Sequence, residues 1–347
     1  MTDEPEVLIR VEGFAGRITL NRPRALNALN ADMCLAISNA LLAWRNDDRV
    51  ACVLIDSAGE RAFCAGGDIR VVAESSRTDG TEARRFFHAE YRMNELLQRY
   101  PKPVAAVMDG ITMGGGVGIS APAAIRVVTE RTLWAMPEGD IGLFPDVGGG
   151  WRLSRLPDET GVWAGLTGAR LRAPDLLSLG LATHFVPSER VDALKTSLCS
   201  GPAQDALAAC AADPGPAPLD EHREKLQRLF VADTVEEILA ALATGGGWAR
   251  AQAAILERKC PTTLKVALRL IREGARRTSF AEEMAVEYRL ALRMTRRHDF
   301  IDGVRAVIVD KDNAPRWDPP DLAGVTDAML DELFAPLPPG EEWTPLD

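Results

Sequence analysis

The chain has 347 residues, 46% hydrophobic, 26% charged and 6% aromatic, with a formal net charge of -10. This is the composition of a folded globular protein, long enough for a large core or two domains. The acidic balance and the lack of a long basic run exclude a general nucleic-acid binder, and no stretch offers the about 18 uninterrupted apolar residues of a membrane span. The chain is then expected to have neither nucleic-acid nor membrane partners.

The first ~190 residues alternate strand and helix patterns, which points to an α/β layer architecture. Val7–Val11 and Arg17–Leu20 read as strands around a Gly13/Gly16 turn. Asn30 or Asp32 suits the cap of a helix through Trp44, with Leu35, Ile37, Leu41 and Leu42 as its buried stripe. Ala51–Asp56 reads as a buried strand, and Glu82–Arg99 as a helix stopped by Pro101 and Pro103. Val104–Met108 and Ile125–Thr129 follow as strands. Strand-to-helix crossovers imply parallel pairing and sites at the strand ends.

From about Val191 the strand pattern stops and Ala, Leu, Glu and Arg dominate. GPAQDALAACAADPGPAP reads as a poorly packed connection, and Ala249–Arg258, Thr262–Gly274 and Phe280–Arg297 as helices. The expected organisation is an α/β core over 1–190, a helical region over 191–334 and a proline-rich tail over 335–347 that frays.

Cys34, Cys52, Cys64, Cys199, Cys210 and Cys260 form no CxxC pair and no ligand-like cluster. Neither a metal site nor a disulfide framework is expected, and reduced thiols suit a cytoplasmic protein. The amino-terminal MTDEPEVLIRVEG is acidic and has no apolar run, unlike a secretory signal.

Three segments carry chemistry. In Ala62–Arg70, AFCAGGDIR, Gly66 and Gly67 lie where a strand ends and a helix starts near Asp68. Such a junction lets backbone N–H groups meet developing negative charge, although a plain turn with Asp68 as helix cap uses the same residues. In GITMGGGVGIS, Gly114, Gly115 and Gly116 each cost a helix about 1 kcal/mol relative to Ala. Ligand contact by backbone and close packing on the sheet both explain them. Gly116–Ala121 also fits G-x-G-x-x-A, but DGITMGG separates it from the strand, against a dinucleotide site.

The third segment, AMPEGDIGLFPDVGGG, places Glu138 and Asp146 among small and apolar residues. Gly142 and Pro145 break any continuous helix between them, so they belong to a short helix and the loop after it. Buried acids have raised pKa values, which suits proton transfer. Glu138 after Pro137 equally suits the first turn of a helix. Asp140 reads as solvated. His88, His184, His222 and His298 lie far apart and read as structural.

Taken in order, TLNRPRALNALN, AFCAGGDI, AAVMDGITMGGGVG and MPEGDIGLFPDVGG resemble the enoyl-CoA hydratase/isomerase (crotonase) superfamily over roughly residues 7 to 190. The resemblance implies a crotonase (ClpP-like) fold of repeated ββα units with a helical C-terminal part. It also implies a CoA thioester substrate and an oxyanion hole of the Gly67 and Gly115 N–H groups. Hydratases of the superfamily carry two catalytic glutamates. The second aligns with Glu138, whereas the place of the first holds Gly118.

The chain is most similar to the 3-hydroxyisobutyryl-CoA hydrolase branch, from FFHAEYRMN through MAVEYRLALRMTRRHDFIDGVRAVIVDKDNAPRWDP. That likeness runs from about residue 7 to 334. It makes Glu90, Gly115, Glu138 and Asp146 the substrate contacts and implies a thioester hydrolase of valine catabolism. Glu138 is then the catalytic nucleophile or base, and Asp146 a catalytic partner to the substrate hydroxyl or the leaving thiolate. Glu90 binds that hydroxyl or holds Asp146. Arg22 and Arg24 fall on the loop that lines the CoA site in the family, and Ala65, Asp68 and Ile69 on the segment bordering adenine. No cofactor beyond the CoA of the substrate and no metal is implied. The superfamily often forms trimers or hexamers, and a homo-oligomer and a monomer both remain open.

Overall fold

A computed structural model describes residues 4–347. β1 (Val7–Glu12) and β2 (Ala15–Leu20) pair antiparallel, with Val7 opposite Leu20 and Glu12 opposite Ala15. The turn needs Gly13, whose φ is 60° and where a Cβ would stand 2.0 Å from the Cys199 carbonyl oxygen. α1 (Ala31–Trp44) starts at Asn30, whose side chain accepts from the Met33 N–H at 2.9 Å. Ile37 and Leu41 are buried as expected, but Leu35 is 42% exposed. Residues two apart lie on opposite faces of a helix, so Leu35 cannot share a face with Ile37.

β3 (Cys52–Ser57), β4 (Ala62–Cys64), α2 (Ile69–Ser76) and α3 (Thr81–Gln98) form the next unit. β5 (Val104–Met108), β6 (Ile111–Met113) and α4 (Gly115–Ser120) repeat it, followed by β7 (Ile125–Val128), β8 (Leu133–Ala135) and β9 (His184–Phe185). From β3 onward successive strands alternate between two sheets. One is six-stranded in the order β1-β2-β3-β5-β7-β9, and the other is three-stranded in the order β4-β6-β8. Every pairing after the first hairpin is parallel. Parallel strands covered on both faces read as apolar runs, and every residue of β5 is buried. This is the crotonase fold.

Beyond β9 the named elements are helices. The segment expected as a loose connection contains a helix, Ala203–Cys210, with Ala206, Leu207 and Cys210 buried. It packs with Leu194 and Leu198 on Leu54, Ala105 and Val127 of the large sheet. Its alanines favour helix, and one apolar stripe suffices to dock it. The tail over 335–347, expected to fray, is anchored. Trp343 is buried, Arg92 donates to the Thr344 carbonyl at 2.7 Å and Arg289 pairs with Glu342 at 3.0 Å. Cations on the helices hold its carbonyl and carboxylate groups, which its proline content does not prevent. Among the described residues no helix is long and apolar enough to cross a membrane.

Candidate active site

Two strand ends of the small sheet build the floor of the site. After β4 the chain runs through Gly66, with a φ of 120°. Leu29 donates to the Gly66 carbonyl at 2.8 Å and accepts from the Asp68 N–H at 2.7 Å. That double link fixes the Gly67 peptide between them. After β6, Gly114 turns the chain into α4, whose first residue is Gly115. Among the described residues neither the Gly67 nor the Gly115 N–H is taken by a backbone carbonyl. Both glycines line one cavity of about 800 Å³ together with Glu90, Glu138 and Asp146.

The glycines also make room. A Cβ on Gly115 would stand 2.5 Å from a Glu90 oxygen, and one on Gly114 3.0 Å from a Glu138 oxygen. Gly116 answers to packing instead, because its Cβ would meet the Cys64 carbonyl oxygen at 2.3 Å. Ligand approach and close packing therefore apply to different members of one run. The dinucleotide-like Gly116–Ala121 lies in α4 and its C-cap, not in a strand-to-helix turn.

Glu138 opens a 3-10 turn, Glu138–Asp140, directly after Pro137. Asp146 follows on the loop before α5 (Gly149–Leu153), and Glu90 projects from α3. All three are buried. Burial, then the Asp146 charge, holds Glu138 well above the usual carboxylate range. Burial, followed by Asp146 and Glu138, does the same to Glu90. Asp146 is pushed up by burial only to about 6, because the Tyr91 hydroxyl donates to it and opposes the rise. That bond is 2.8 Å long. The acids titrate as a set. Glu90 and Glu138 hold their protons more tightly than Asp146, which puts a proton donor and a proton acceptor side by side. Glu90 Oε1 and Glu138 Oε2 are buried without a hydrogen-bond partner, as suits oxygens that meet a substrate.

Arg24, Ala65, Asp68 and Ile69, which the resemblance assigns to CoA, lie on the cavity wall. Arg22 does not. It pairs with Glu6 at 2.8 Å and Asp68 at 3.1 Å and donates to the Ala28 carbonyl at 2.7 Å. The Asp68 side chain makes no cap bond to α2, so the cap reading gives way to this ion pair. Arg61, Arg70, Arg170 and Lys311 add cations to the wall. They are scattered through the sequence, and no local pattern marks them.

The sequence also hid Tyr91 and Lys259. Lys259, itself buried, reaches Asp140 at 2.6 Å, so Asp140 is an ion-pair partner and not simply solvated. No histidine lines the cavity; His88 packs edge-on against Tyr288 and His222 stacks on Trp248. Among the described residues no group of three or more His, Cys, Asp or Glu is placed to hold a metal ion.

Alternating sheets, two glycine N–H groups not taken by backbone carbonyls and three buried acids make up the candidate site of a crotonase fold. The chain belongs to the enoyl-CoA hydratase/isomerase family, whose model matches residues 15–334. It is 45% identical to the mitochondrial 3-hydroxyisobutyryl-CoA hydrolase of Danio rerio, over 96% of this chain and 90% of that protein. The corresponding enzyme of Homo sapiens is 42% identical, over 96% and 89%. Among solved structures, a carnitinyl-CoA dehydratase from Mycobacterium thermoresistibile superposes with a TM-score of 0.94 at 42% identity, covering 98% of this chain and 99% of that one. An enoyl-CoA hydratase from Rhodobacter sphaeroides gives 0.91 at 39%, covering 98% and 100%.

Both of these hydrolases are named as mitochondrial enzymes, which overturns the expectation of a cytoplasmic protein. All six cysteines are free. Free thiols by themselves name no compartment.

Proposed function

We propose that the chain is an acyl-CoA thioester hydrolase that converts 3-hydroxyisobutyryl-CoA and water to 3-hydroxyisobutyrate and CoA, a step of valine breakdown. The observation that carries this reading is Glu138, with Asp146 and Glu90 beside it, in a site whose other catalytic position holds Gly118. Addition of water to an enoyl-CoA calls on a second glutamate at that position, whereas thioester cleavage does not.

The thioester oxygen sits between the Gly67 and Gly115 N–H groups, each worth about 3 kcal/mol when aimed at the tetrahedral oxyanion. Glu138 acts on the carbonyl carbon either directly, through a mixed anhydride that water then opens, or as base toward water. In both routes a C–O bond forms, the C–S bond breaks and the thiolate sulfur takes a proton. Asp146 supplies that proton or holds the substrate hydroxyl. The Tyr91 hydroxyl, by opposing the rise that burial causes, makes Asp146 the first of the pair to ionise, but the two share one charge. The state with Glu138 ionised and Asp146 protonated attacks on one side and donates on the other. Glu90 closes the acyl end of the site. Arg24, Arg170 and Lys311 on the wall supply the cations that CoA phosphates need on a chain of net charge -10.

The names of the two solved structures favour a second reading, hydration or dehydration of another acyl-CoA. A panel of acyl-CoA thioesters assayed with a free-thiol reagent separates the two, since hydrolysis alone releases CoA. Thiol release from 3-hydroxyisobutyryl-CoA that falls by about two decades or more in Glu138→Gln supports hydrolysis. Water addition to an enoyl-CoA with no thiol release overturns it.

A further inference from the structure

We propose that Glu287, buried outside the acyl-CoA cavity, is the positioning residue that aims Asp146 by holding the backbone of the loop that carries it. This deepens the hydrolase reading above and rests on it for the role of Asp146.

Glu287 projects from the Phe280–Met294 helix and is 0% exposed. Its Oε2 accepts from the Gly148 N–H at 2.8 Å and its Oε1 faces the Gly150 N–H at 3.4 Å. The loop so held is under strain. Val147, a β-branched residue, has a φ of 52°, and Gly148 follows at 86°. A branched side chain rarely adopts this left-handed conformation and keeps it only where the surroundings impose it. Glu287 supplies that imposition from below, Phe280 crowds Gly148, whose Cβ would meet its ring at 2.6 Å, and the Gly149 N–H closes the turn on the Asp146 carbonyl at 2.8 Å. At the other end the Tyr91 hydroxyl holds the Asp146 carboxyl. Asp146 is thus fixed by its head from α3 and by its backbone from the Phe280–Met294 helix.

A buried acid needs a reason to be there. Hydrophobic residues would pack this core as well but would leave the Gly148 N–H without an acceptor. The charges around Glu287 are arranged to keep it a neutral acceptor. Glu283, one turn away, is paired with Arg277 at 2.8 Å. Asp146 faces it from the loop and Arg152 from α5. Burial, followed by Glu283 and Asp146, holds Glu287 well above the usual carboxylate range. Burial and the neighbouring acids thus oppose a charge on Glu287 while the fold keeps its oxygens on the loop.

Two conservative variants separate placement from acid chemistry. Glu287→Gln keeps an oxygen at the same reach and removes the acid. Glu287→Asp keeps the acid and withdraws the oxygens by one methylene. Thiol release by the full chain is expected to lose about ten-fold or more in kcat in Glu287→Asp, with Glu287→Gln recovering most of it. The pH midpoint of kcat rises in Glu287→Asp alone, because Asp146 there loses its alignment with Tyr91. The inference is overturned if Glu287→Asp is the more active of the two, or if both keep wild-type kcat. A carboxyl ¹³C titration of Asp146, which starts near 6 in the parent chain, reads the same order without turnover. Failure of the parent chain to release thiol would count against the hydrolase reading, whereas an unmoved Asp146 midpoint in Glu287→Asp would count against this one.

Discussion

Gly118 and Val147 share one space. A Cβ on Gly118 would stand 2.7 Å from the Val147 Cβ and 3.0 Å from both amide atoms of Asn94. The position where hydratases of the superfamily carry a glutamate is thus filled by the loop that delivers Asp146. Restoring the glutamate is expected to fail as a conversion. Gly118→Glu forces a buried charge against Val147, and Gly118→Ala already overpacks the contact by about 1–3 kcal/mol. The expected outcome is a lower melting temperature for Gly118→Ala, loss of thiol release for Gly118→Glu and no water addition to an enoyl-CoA by either. A Gly118→Glu protein that hydrates crotonyl-CoA would show that the loop yields and that a glutamate alone sets the reaction.

The acid limb of the rate profile belongs to the Glu138–Asp146 pair. Removing the first proton from that pair leaves the single charge that attack requires, and the lowest member, Asp146, sits at about 6. kcat/KM for thiol release is expected to rise with pH to a plateau, with its midpoint near that value. Tyr91→Phe removes the hydroxyl that holds Asp146 down, so the midpoint moves upward. A profile flat from pH 5 to 8 in the parent chain would mean that neither acid gates the reaction.

The same burial makes the site a source of instability above its titration. In the fold Asp146 stands at about 6 against the ordinary aspartate value of 3.8, so the folded state favours the protonated form. Stability from this group is fully present below pH ~4 and is lost as pH rises through ~6. Asp146→Asn keeps an acceptor for Tyr91 and cannot ionise. It is expected to exceed the parent chain by up to about 3 kcal/mol at pH 8 and to match it near pH 4. Denaturant unfolding of both proteins at the two pH values measures the difference, and a variant less stable at pH 8 would show that the charged carboxylate is welcome there.

Local pattern carried much of the fold and part of the site. The apolar run of β5, the Asn30 cap of α1 and the break at Pro101 follow from short-range chemistry and appear where expected. The glycine and acid motifs also lie on one cavity wall, because each sits at a strand end or in the loop after one. The partners that tune them were not legible. Tyr91 meets Asp146 across 55 residues, Lys259 meets Asp140 across 119 and Glu287 meets Gly148 across 139. Nothing local marks such pairs. Arg22 shows the converse limit: a loop arginine looks the same in sequence whether it meets a phosphate or, as here, Asp68 and Glu6.

Lys259 and Asp140 form a charge pair that tunes Glu138 from one side. Lys259 holds the Glu138 carboxyl down while Asp140 pushes it up, both weaker than burial and Asp146. Their ion pair of 2.6 Å spans the 3-10 turn that Glu138 opens. Removing either partner therefore acts on Glu138 in opposite directions, which damage to packing alone would not produce. Lys259→Met leaves Glu138 with only acids nearby, and the midpoint of kcat/KM is expected to rise by about one pH unit. Asp140→Asn frees the Lys259 charge to act on Glu138, and the midpoint falls. Thiol release near pH 6 drops in the first variant and recovers toward pH 8 to 9, while the second gains relative activity on the acid side. Midpoints that move the same way in both variants would assign the pair to the structure of the turn and remove it from the electrostatics of Glu138.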